Sequence, residues 1–132
     1  MFAKNFNSDI VVCDKHRTRA NEIASMQVIG NVEGRDVILV DDMIDTAGTM
    51  TTAAQLIMDK GANSVRAIAT HAVLSGPAYE RIENSVLQEL VVSDTIPLKQ
   101  QSSKIKVLSF SDLFARAISN VVTHESISSL FI

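Results

Sequence analysis

One short segment near the middle of the chain constrains its fold more than any other. Residues 37–40 are apolar and mostly β-branched, which is typical of a strand buried on both faces. Asp41 and Asp42 follow directly, and a loop of small residues comes next at 46–49. Apolar residues within 50–58 recur at helical spacing, which predicts an amphipathic helix. The segment therefore indicates a strand–loop–helix unit of an α/β fold, where ligands bind at the carboxyl ends of strands.

The predicted loop consists of four small residues: Thr46, Ala47, Gly48 and Thr49. They would present backbone N–H groups at the start of the helix, where the helix dipole favours an anion. Their small side chains would let a phosphate approach the backbone, and the threonine hydroxyls can donate hydrogen bonds as well. No lysine follows Gly48, so the loop is not a Walker A motif.

Asp41 and Asp42 limit what can lie beside such a phosphate. Two adjacent carboxylates would repel the phosphates of a nucleotide, whereas they suit the hydroxyls of a sugar, directly or through Mg²⁺. Strand, loop and acids together predict a cradle for a sugar phosphate, with the phosphate on the loop and the hydroxyls on the acids. The alternative is a generic strand-to-helix turn with a helix cap.

Composition limits the other classes of function. With 132 residues and 46% hydrophobic residues, the chain is predicted to form one domain over residues 1–132. A net charge of −3 and few aromatic residues argue against a nucleic-acid surface, and the apolar runs are too short for a transmembrane helix. A single cysteine, Cys13, lies in an apolar segment, which fits a buried inert thiol and a reducing cytoplasm.

The rest of the chain predicts further alternation of strands and helices. Apolar stretches predict strands at residues 9–14, 26–30, 64–70, 89–92 and 106–109. The helix after the loop should end at Gly61, and two others should begin after caps at Ser75 and Ser111. A strand, a helix and a second strand at this spacing predict a mostly parallel sheet flanked by helices.

Basic residues are concentrated directly after the first predicted strand. Residues 15–19 read Lys-His-Arg-Thr-Arg, and residues 20–22 add no apolar anchor of any size. From composition alone this stretch indicates a solvated charge run. We expect it to form a mobile cationic loop, because nothing in it would hold it against a core.

Three motifs resemble one protein family. Val-Asp-Asp-Met-Ile-Asp-Thr-Ala-Gly-Thr at residues 40–49 resembles the ribose 5-phosphate loop of type I phosphoribosyltransferase-fold proteins. Its doubled aspartate is specifically similar to the loop of ribose-phosphate diphosphokinases (PRPP synthetases). Asp-Lys-His-Arg-Thr-Arg-Ala-Asn at residues 14–21 is similar to the flexible catalytic loop of that family, and Ser-Ile-Ser-Ser-Leu-Phe at 126–131 to its C-terminal ending. The resemblance implies a type I phosphoribosyltransferase-like fold.

The resemblance also implies roles for the matching residues. Ribose 5-phosphate would be bound by Asp41, Asp42, Asp45, Thr46, Ala47, Gly48 and Thr49. Lys15 and Arg17 would be catalytic residues that close over the phosphates of ATP. A regulatory site for ADP or phosphate between subunits would include Ser126, Ser128 and Phe131. Mg²⁺ would accompany ATP, and no metal ligand is assigned to this chain.

The family transfers the diphosphoryl group of Mg-ATP to O1 of ribose 5-phosphate, which gives PRPP and AMP for nucleotide biosynthesis. Its members resemble this chain only in their C-terminal half, and they carry most ATP-binding residues and a metal-binding histidine in the other half. The resemblance therefore implies that this chain is the C-terminal domain. We expect it to bind the sugar phosphate with little or no turnover, and to form a homo-oligomer in the cytoplasm.

Two alternatives come from other classes of function. A phosphoribosyltransferase that consumes PRPP would share the loop, although residues 14–21 and the serine-rich ending favour the synthetase. Release of free AMP from ATP would distinguish these two enzymes. The other alternative is a non-catalytic regulatory or oligomerisation module, a class that tends to lose the loop acids, which are present here at Asp41, Asp42 and Asp45.

Overall fold

Strands and helices alternate along the chain. The computed structural model describes residues 8–16 and 25–130. The strands are β1 (Val12–His16), β2 (Ser25–Ile29), β3 (Asp36–Ile44), β4 (Ser64–Ala72), β5 (Glu89–Ser93) and β6 (Ile105–Leu108). The helices are α1 (Gly48–Asp59), α2 (Ala78–Glu83) and α3 (Ser111–Val122), followed by a short 3₁₀ helix (Ser128–Leu130).

The main sheet contains β3, β4, β5 and β6, which are parallel and lie side by side in chain order. The longest pairing joins β3 to β4, from Asp36 opposite Ser64 to Ile44 opposite Ala72. Parallel neighbours need crossover connections, and α1 and α2 supply them between β3, β4 and β5. The predicted α/β class, with a parallel sheet flanked by helices, is confirmed.

β1 and β2 form a separate antiparallel pair, in which Cys13 lies opposite Val28. Val28 belongs to the main hydrophobic core, and its carbonyl oxygen accepts a hydrogen bond from Nζ of Lys60 at 3.0 Å. Partial burial raises the pKa of the Cys13 thiol, which disfavours the reactive thiolate. The predicted first strand was placed at 9–14, whereas β1 begins and ends later in the chain.

α1 and α2 cover one face of the main sheet. Val65 and Leu90 of β4 and β5 are fully buried in one cluster with Ile57 of α1 and Ile82 of α2. Burying a side chain of this size stabilises a fold by about 1.5–3 kcal/mol relative to leaving it exposed. This layer fixes the helix starts against the carboxyl ends of the strands, where the predicted site lies.

The opposite face of the sheet and one whole helix are exposed. Ile38, Val40 and Ile68 are exposed by 58%, 55% and 43% on that face. α3 has no buried residue, although its apolar residues are spaced as an amphipathic helix requires. No helix in the described parts of the chain is long and apolar enough to cross a membrane.

The start of α3 differs from its prediction. α3 begins at Ser111 itself after Phe110, with no side-chain cap, so the prediction that Ser111 is the cap is wrong. The preceding turn is held by Asp94 instead, which accepts hydrogen bonds from the Phe110 backbone N–H at 3.1 Å and from the Ser109 hydroxyl. A cap predicted from local sequence was replaced by a carboxylate from the neighbouring strand end.

Candidate functional site

The candidate site lies where β3 ends and α1 begins. β3 continues to Ile44, so the prediction that this strand ends at Val40 is wrong. Residues up to Ile44 pair with β4, which extends the strand beyond its apolar segment. Asp41 and Asp42 therefore lie within the strand, and the loop is confined to residues 45–47.

Asp41 and Asp42 are both exposed near the carboxyl end of β3. Oδ1 of Asp41 accepts a hydrogen bond from the Asp42 backbone N–H at 2.9 Å. Because successive strand residues point to opposite faces of a sheet, the two side chains leave β3 in different directions. The structure thus brings both carboxylates to one edge of the sheet but not onto one face.

The loop places a residue with a side chain in a left-handed conformation. Ala47 has φ 60° and ψ −1°, and only 5% of its surface is exposed. A non-glycine residue in a sparsely populated backbone region costs about 1–3 kcal/mol, so surrounding contacts must hold it there. The first turn of α1 contains no acidic residue and no side-chain cap, so the positive end of its dipole is not offset locally.

The connection between β4 and α2 donates hydrogen bonds to carbonyl groups at the start of this loop. The Leu74 N–H donates to the carbonyl oxygen of Ile44 at 3.1 Å, and the Ser75 N–H donates to that of Asp45 at 3.0 Å. The Ser75 hydroxyl also donates to the Asp45 carboxylate. Ser75 was predicted to cap the following helix, which is wrong, because α2 begins at Ala78 and Ser75 binds the loop.

Arg81 of α2 provides a third contact, which sequence reasoning missed. Its Nη1 donates to the carbonyl oxygen of Thr46 at 3.0 Å. The same atom would lie 3.2 Å from a Cβ at residue 48, so Gly48 leaves the space that the guanidinium occupies. One signal could have found it: helices that follow neighbouring parallel strands start at the same end of the sheet, so the arginine in the short helix α2 is a candidate partner for the loop.

The amide groups of the loop point away from this connection. In a trans peptide the C=O and N–H groups point in opposite directions. Since the carbonyl groups of residues 44–46 face the segment at 74–81, the N–H groups of residues 45–47 face the other side. The loop therefore offers backbone donors at the start of α1, which is a favourable environment for an anion.

Further polar side chains line the carboxyl ends of β4 and β5. Nδ1 of His71 lies 2.9 Å from the Thr95 hydroxyl, which in turn lies 2.7 Å from the hydroxyl of Ser93. The hydroxyl of Ser93 donates to the carbonyl oxygen of Thr70 at 2.5 Å. These contacts tie the ends of the two strands together, and they give His71 a structural partner.

The structure describes the position of only one of the two predicted catalytic residues, Lys15 and Arg17. Lys15 lies in β1, so the predicted cationic loop begins at least two residues later than expected. Arg17 and the rest of that motif up to residue 21 lie outside the described residues. Their roles stay predictions.

The predicted regulatory residues follow α3. Ser126 and Ser128 are exposed, and the Ser128 N–H donates to the Ser126 hydroxyl at 3.2 Å. The carbonyl oxygen of Ser126 accepts a hydrogen bond from Nδ2 of Asn120 at 3.0 Å, which folds the segment back onto the end of α3. Phe131 lies outside the described residues. A regulatory role for the three residues stays a prediction.

An open groove of about 550 Å³ lies between α1 and α2. It is lined by Thr51, Gln55 and Asn84 among others, and Arg81 contributes to it as well. The acids Asp41 and Asp42 do not line this groove. Arg81 therefore lies between the groove and the loop.

The chain matches one family along nearly all of its length. The phosphoribosyl synthetase-associated domain matches residues 8–132. The chain belongs to this family. The predicted resemblance to PRPP synthetases is thus confirmed, and with it the type I phosphoribosyltransferase-like fold.

Individual relatives carry names of one enzyme. The chain is 56% identical over 131 residues to a ribose-phosphate pyrophosphokinase of Wolinella succinogenes, which covers 99% of this chain and 42% of that protein. It is 58% identical over 130 residues to a ribose-phosphate pyrophosphokinase of Campylobacter jejuni, which covers 98% of this chain and 42% of that protein. The chain thus spans less than half the length of these curated relatives.

A solved structure agrees with these relationships. The phosphoribosylpyrophosphate synthetase of Mycobacterium smegmatis superimposes with a TM-score of 0.75 at 38% identity. The match covers 85% of this chain and 37% of that protein. Sequence and fold therefore indicate the same family.

Proposed function

We propose that this chain is the ribose 5-phosphate-binding domain of a ribose-phosphate diphosphokinase, and that it forms the C-terminal part of that enzyme. The observation that carries the proposal is the loop at residues 45–47. The carbonyl groups of residues 44–46 face residues 74–81, and the N–H groups of residues 45–47 face the opposite side at the start of α1. Two exposed carboxylates precede this loop. A phosphorylated polyol needs both features at once, donors for its phosphate and acceptors for its hydroxyls.

The loop and the acids divide the substrate between them. The backbone N–H groups and hydroxyls of Thr46, Ala47, Gly48 and Thr49 bind the 5-phosphate. The ribose lies across the end of β3, where Asp41 and Asp42 approach it from opposite faces of the strand and accept hydrogen bonds from its 2- and 3-hydroxyls, which fixes O1 for attack. Asp45 orders the loop, and its two hydrogen bonds with Ser75 support that role.

The complete enzyme forms a bond between O1 of ribose 5-phosphate and the β-phosphorus of ATP. The bond from that phosphorus to the α-phosphate oxygen breaks and O1 releases its proton to water, so AMP leaves and PRPP remains. Lys15 and Arg17 neutralise the negative charge that develops on the transferring phosphates. When Mg²⁺ is bound, it adds to that neutralisation. An exposed carboxylate at Asp41 or Asp42 fits it, because Mg²⁺ needs only one or two carboxylates and keeps water and substrate oxygens as its other ligands.

The present chain on its own binds the sugar phosphate and turns over little, because most ATP-binding groups belong to the rest of the enzyme. ADP or phosphate acts at a site that includes Ser126, Ser128 and Phe131, and the enzyme is a cytoplasmic homo-oligomer. The exposed apolar residues of the sheet and of α3 support the proposal that more protein packs here.

Calorimetric titration of ribose 5-phosphate into the chain tests the proposal, with ribose and inorganic phosphate as part-ligands. We expect saturable one-site binding of ribose 5-phosphate and weaker binding of both part-ligands. Asp42→Lys should weaken the binding of ribose 5-phosphate at least about tenfold, because it replaces a carboxylate that accepts hydrogen bonds from the sugar hydroxyls with an ammonium group that can only donate. It should change the affinity for inorganic phosphate much less or raise it.

Asp112→Lys is the matched control, since Asp112 is an exposed aspartate in the first turn of α3. It makes the same charge change away from the loop, and we expect ribose 5-phosphate to bind it as it binds the parent chain. If the parent chain bound no ribose 5-phosphate at millimolar concentration, the assignment of this chain as a binding domain would be wrong. Equal losses in both variants would show a general charge effect and remove the role of Asp42.

A further inference from the structure

Three carbonyl groups, from the last residue of β3 to the loop (residues 44–46), face residues 74–81 and are held in two different ways. The carbonyl oxygens of residues 44 and 45 accept hydrogen bonds from backbone N–H groups, which only a proline substitution would remove. That of Thr46 accepts its hydrogen bond from Nη1 of Arg81. Among these three peptides, the orientation of the one between Thr46 and Ala47 thus depends on a side chain.

That same peptide has a conformational reason to turn over. Ala47 has φ 60°, where its Cβ is crowded by the backbone. Turning the Thr46–Ala47 peptide plane by about 180° would return φ of Ala47 to the common negative region, because one rotation changes ψ of Thr46 and φ of Ala47 together. It would also exchange the positions of the Thr46 carbonyl oxygen and the Ala47 N–H.

The orientation of this peptide decides how the loop meets an anion. With the observed orientation, the Ala47 N–H faces the side where a phosphate can approach. After rotation a carbonyl oxygen would face that side and repel the phosphate. We propose that Arg81 is a positioning residue that holds the Thr46–Ala47 peptide in the phosphate-binding orientation. This inference rests on the proposed function, since it names a determinant of the same site.

The charge of Arg81 also favours the binding of an anion to the loop. Its guanidinium lies against Gly48 at the positive end of the α1 dipole, which is an unfavourable place for a cation alone. Within residues 8–16 and 25–130, Arg81 forms no ion pair. An anion bound to the loop would relieve this repulsion, so the arrangement is stabilised by the ligand that it helps to bind.

The first test measures binding of ribose 5-phosphate and of inorganic phosphate to variants of the chain. Arg81→Met keeps much of the side-chain length but removes the donors and the charge, and we expect about tenfold weaker binding of both ligands. Arg81→Lys should recover part of the loss, because it restores one donor and the charge but not the planar fork. Arg116→Met, on the exposed face of α3, makes the same substitution elsewhere and should change either affinity less than about twofold.

A double-mutant cycle separates positioning from simple charge. Glycine adopts φ near +60° without strain, so in the Ala47→Gly background the peptide gains little by turning over. The loss caused by Arg81→Met should therefore be several-fold smaller in that background than in the parent chain. An equal loss in both backgrounds would mean that Arg81 acts by charge alone and would overturn the positioning role.

A measurement without ligand keeps this inference separate from the proposed function. The coupling constant between the amide and α protons of Ala47 reports its φ, and Arg81→Met should move it from the value for φ near +60° toward that of a negative φ. An unchanged coupling would overturn the inference whether or not the chain binds phosphate. If the coupling moved but the parent chain bound no ribose 5-phosphate, Arg81 would still position the loop, and the proposed substrate would be wrong.

Discussion

α1 and α3 are both twelve residues long and both follow the carboxyl end of a strand, yet only α1 is buried. α1 buries four side chains, of which Ile57 is fully inaccessible. α3 buries none, and its Phe114 and Ile118 are exposed by 58% and 63%. Apolar residues at helical spacing therefore predict that a helix forms and which side is apolar, but not what covers that side.

Topology explains the difference. α1 connects two neighbouring parallel strands, so it must cross back over the face of the sheet that they form. α3 follows β6, which lies at an edge of the sheet, and only a 3₁₀ turn follows α3 within the described residues. The helix that crosses the sheet carries the candidate site at its start, where hydrogen bonds from residues 74–81 hold the loop.

The segments that precede the two helices are also held by different numbers of contacts. Backbone groups and Arg81 hold the loop before α1, and that loop includes the buried Ala47. A single exposed carboxylate, Asp94, holds the turn before α3. The first arrangement fixes the direction of peptide groups, which a binding site needs, whereas the second only ends a turn.

The largest difference in unfolding free energy between the two helices should come from truncating one isoleucine in each to alanine. Ile57→Ala leaves a cavity in the core and should lower the free energy of unfolding by about 2–5 kcal/mol. Ile118→Ala should lower it by less than about 1 kcal/mol, because that side chain is mostly exposed. Urea unfolding followed by circular dichroism, at one protein concentration, measures both. A large loss for Ile118→Ala would show that α3 is covered in solution and would break the comparison.

A smaller difference in unfolding free energy should come from replacing one alanine in each helix with leucine. Ala54 of α1 is fully buried, and Ala54→Leu should cost about 1–3 kcal/mol through overpacking. Ala115 of α3 is exposed, and Ala115→Leu should change the free energy of unfolding by no more than about 0.5 kcal/mol. The same urea experiment applies. If Ala54→Leu were neutral, the contact between α1 and the sheet would be looser than the burial of α1 indicates.

The smallest effect should appear on acidification. Hydrogen bonds from the Ser109 hydroxyl and then from the Phe110 backbone hold the pKa of Asp94 below its ordinary value. Because the folded pKa is the lower one, the contribution of Asp94 is complete above the ordinary aspartate pKa, about 3.9. It is lost as the pH falls through the folded value. The first turn of α3 should therefore fray in acid.

Carbon chemical shifts of residues 111–114, recorded as the pH is lowered, would measure this fraying. Asp94→Asn should remove most of the pH dependence, since its side chain does not titrate. The Arg81 contact before α1 joins a guanidinium to a backbone carbonyl oxygen and involves no carboxylate, so the Thr46–Ala47 peptide should keep its orientation. Equal fraying in the parent chain and in Asp94→Asn would show that another group controls the start of α3.

Much of the fold could be read from short-range patterns. The segment at 37–40, the helix that ends before Gly61 and the strand at 64–70 follow from apolar spacing and turn chemistry, and each lies within a few residues of its predicted place. Gly61 has φ +87°, as a residue after a helix end requires. Capping was predicted less well, since Ser75 and Ser111 have other partners. A cap depends on which donors and acceptors come near, and distant segments decide that.

The sequence by itself determined the order of strands and helices, the small-residue loop at the end of β3 and the family that these motifs resemble. The tertiary structure alone decided that β3 continues through its acids, that α3 stays exposed and that Arg81 reaches Thr46. The physical reason is the range of the interactions. Periodicity and turns act over a few neighbours along the chain, whereas strand extension and the contact of Arg81 join residues about 30 positions apart, and helix burial depends on which elements the topology places against the helix.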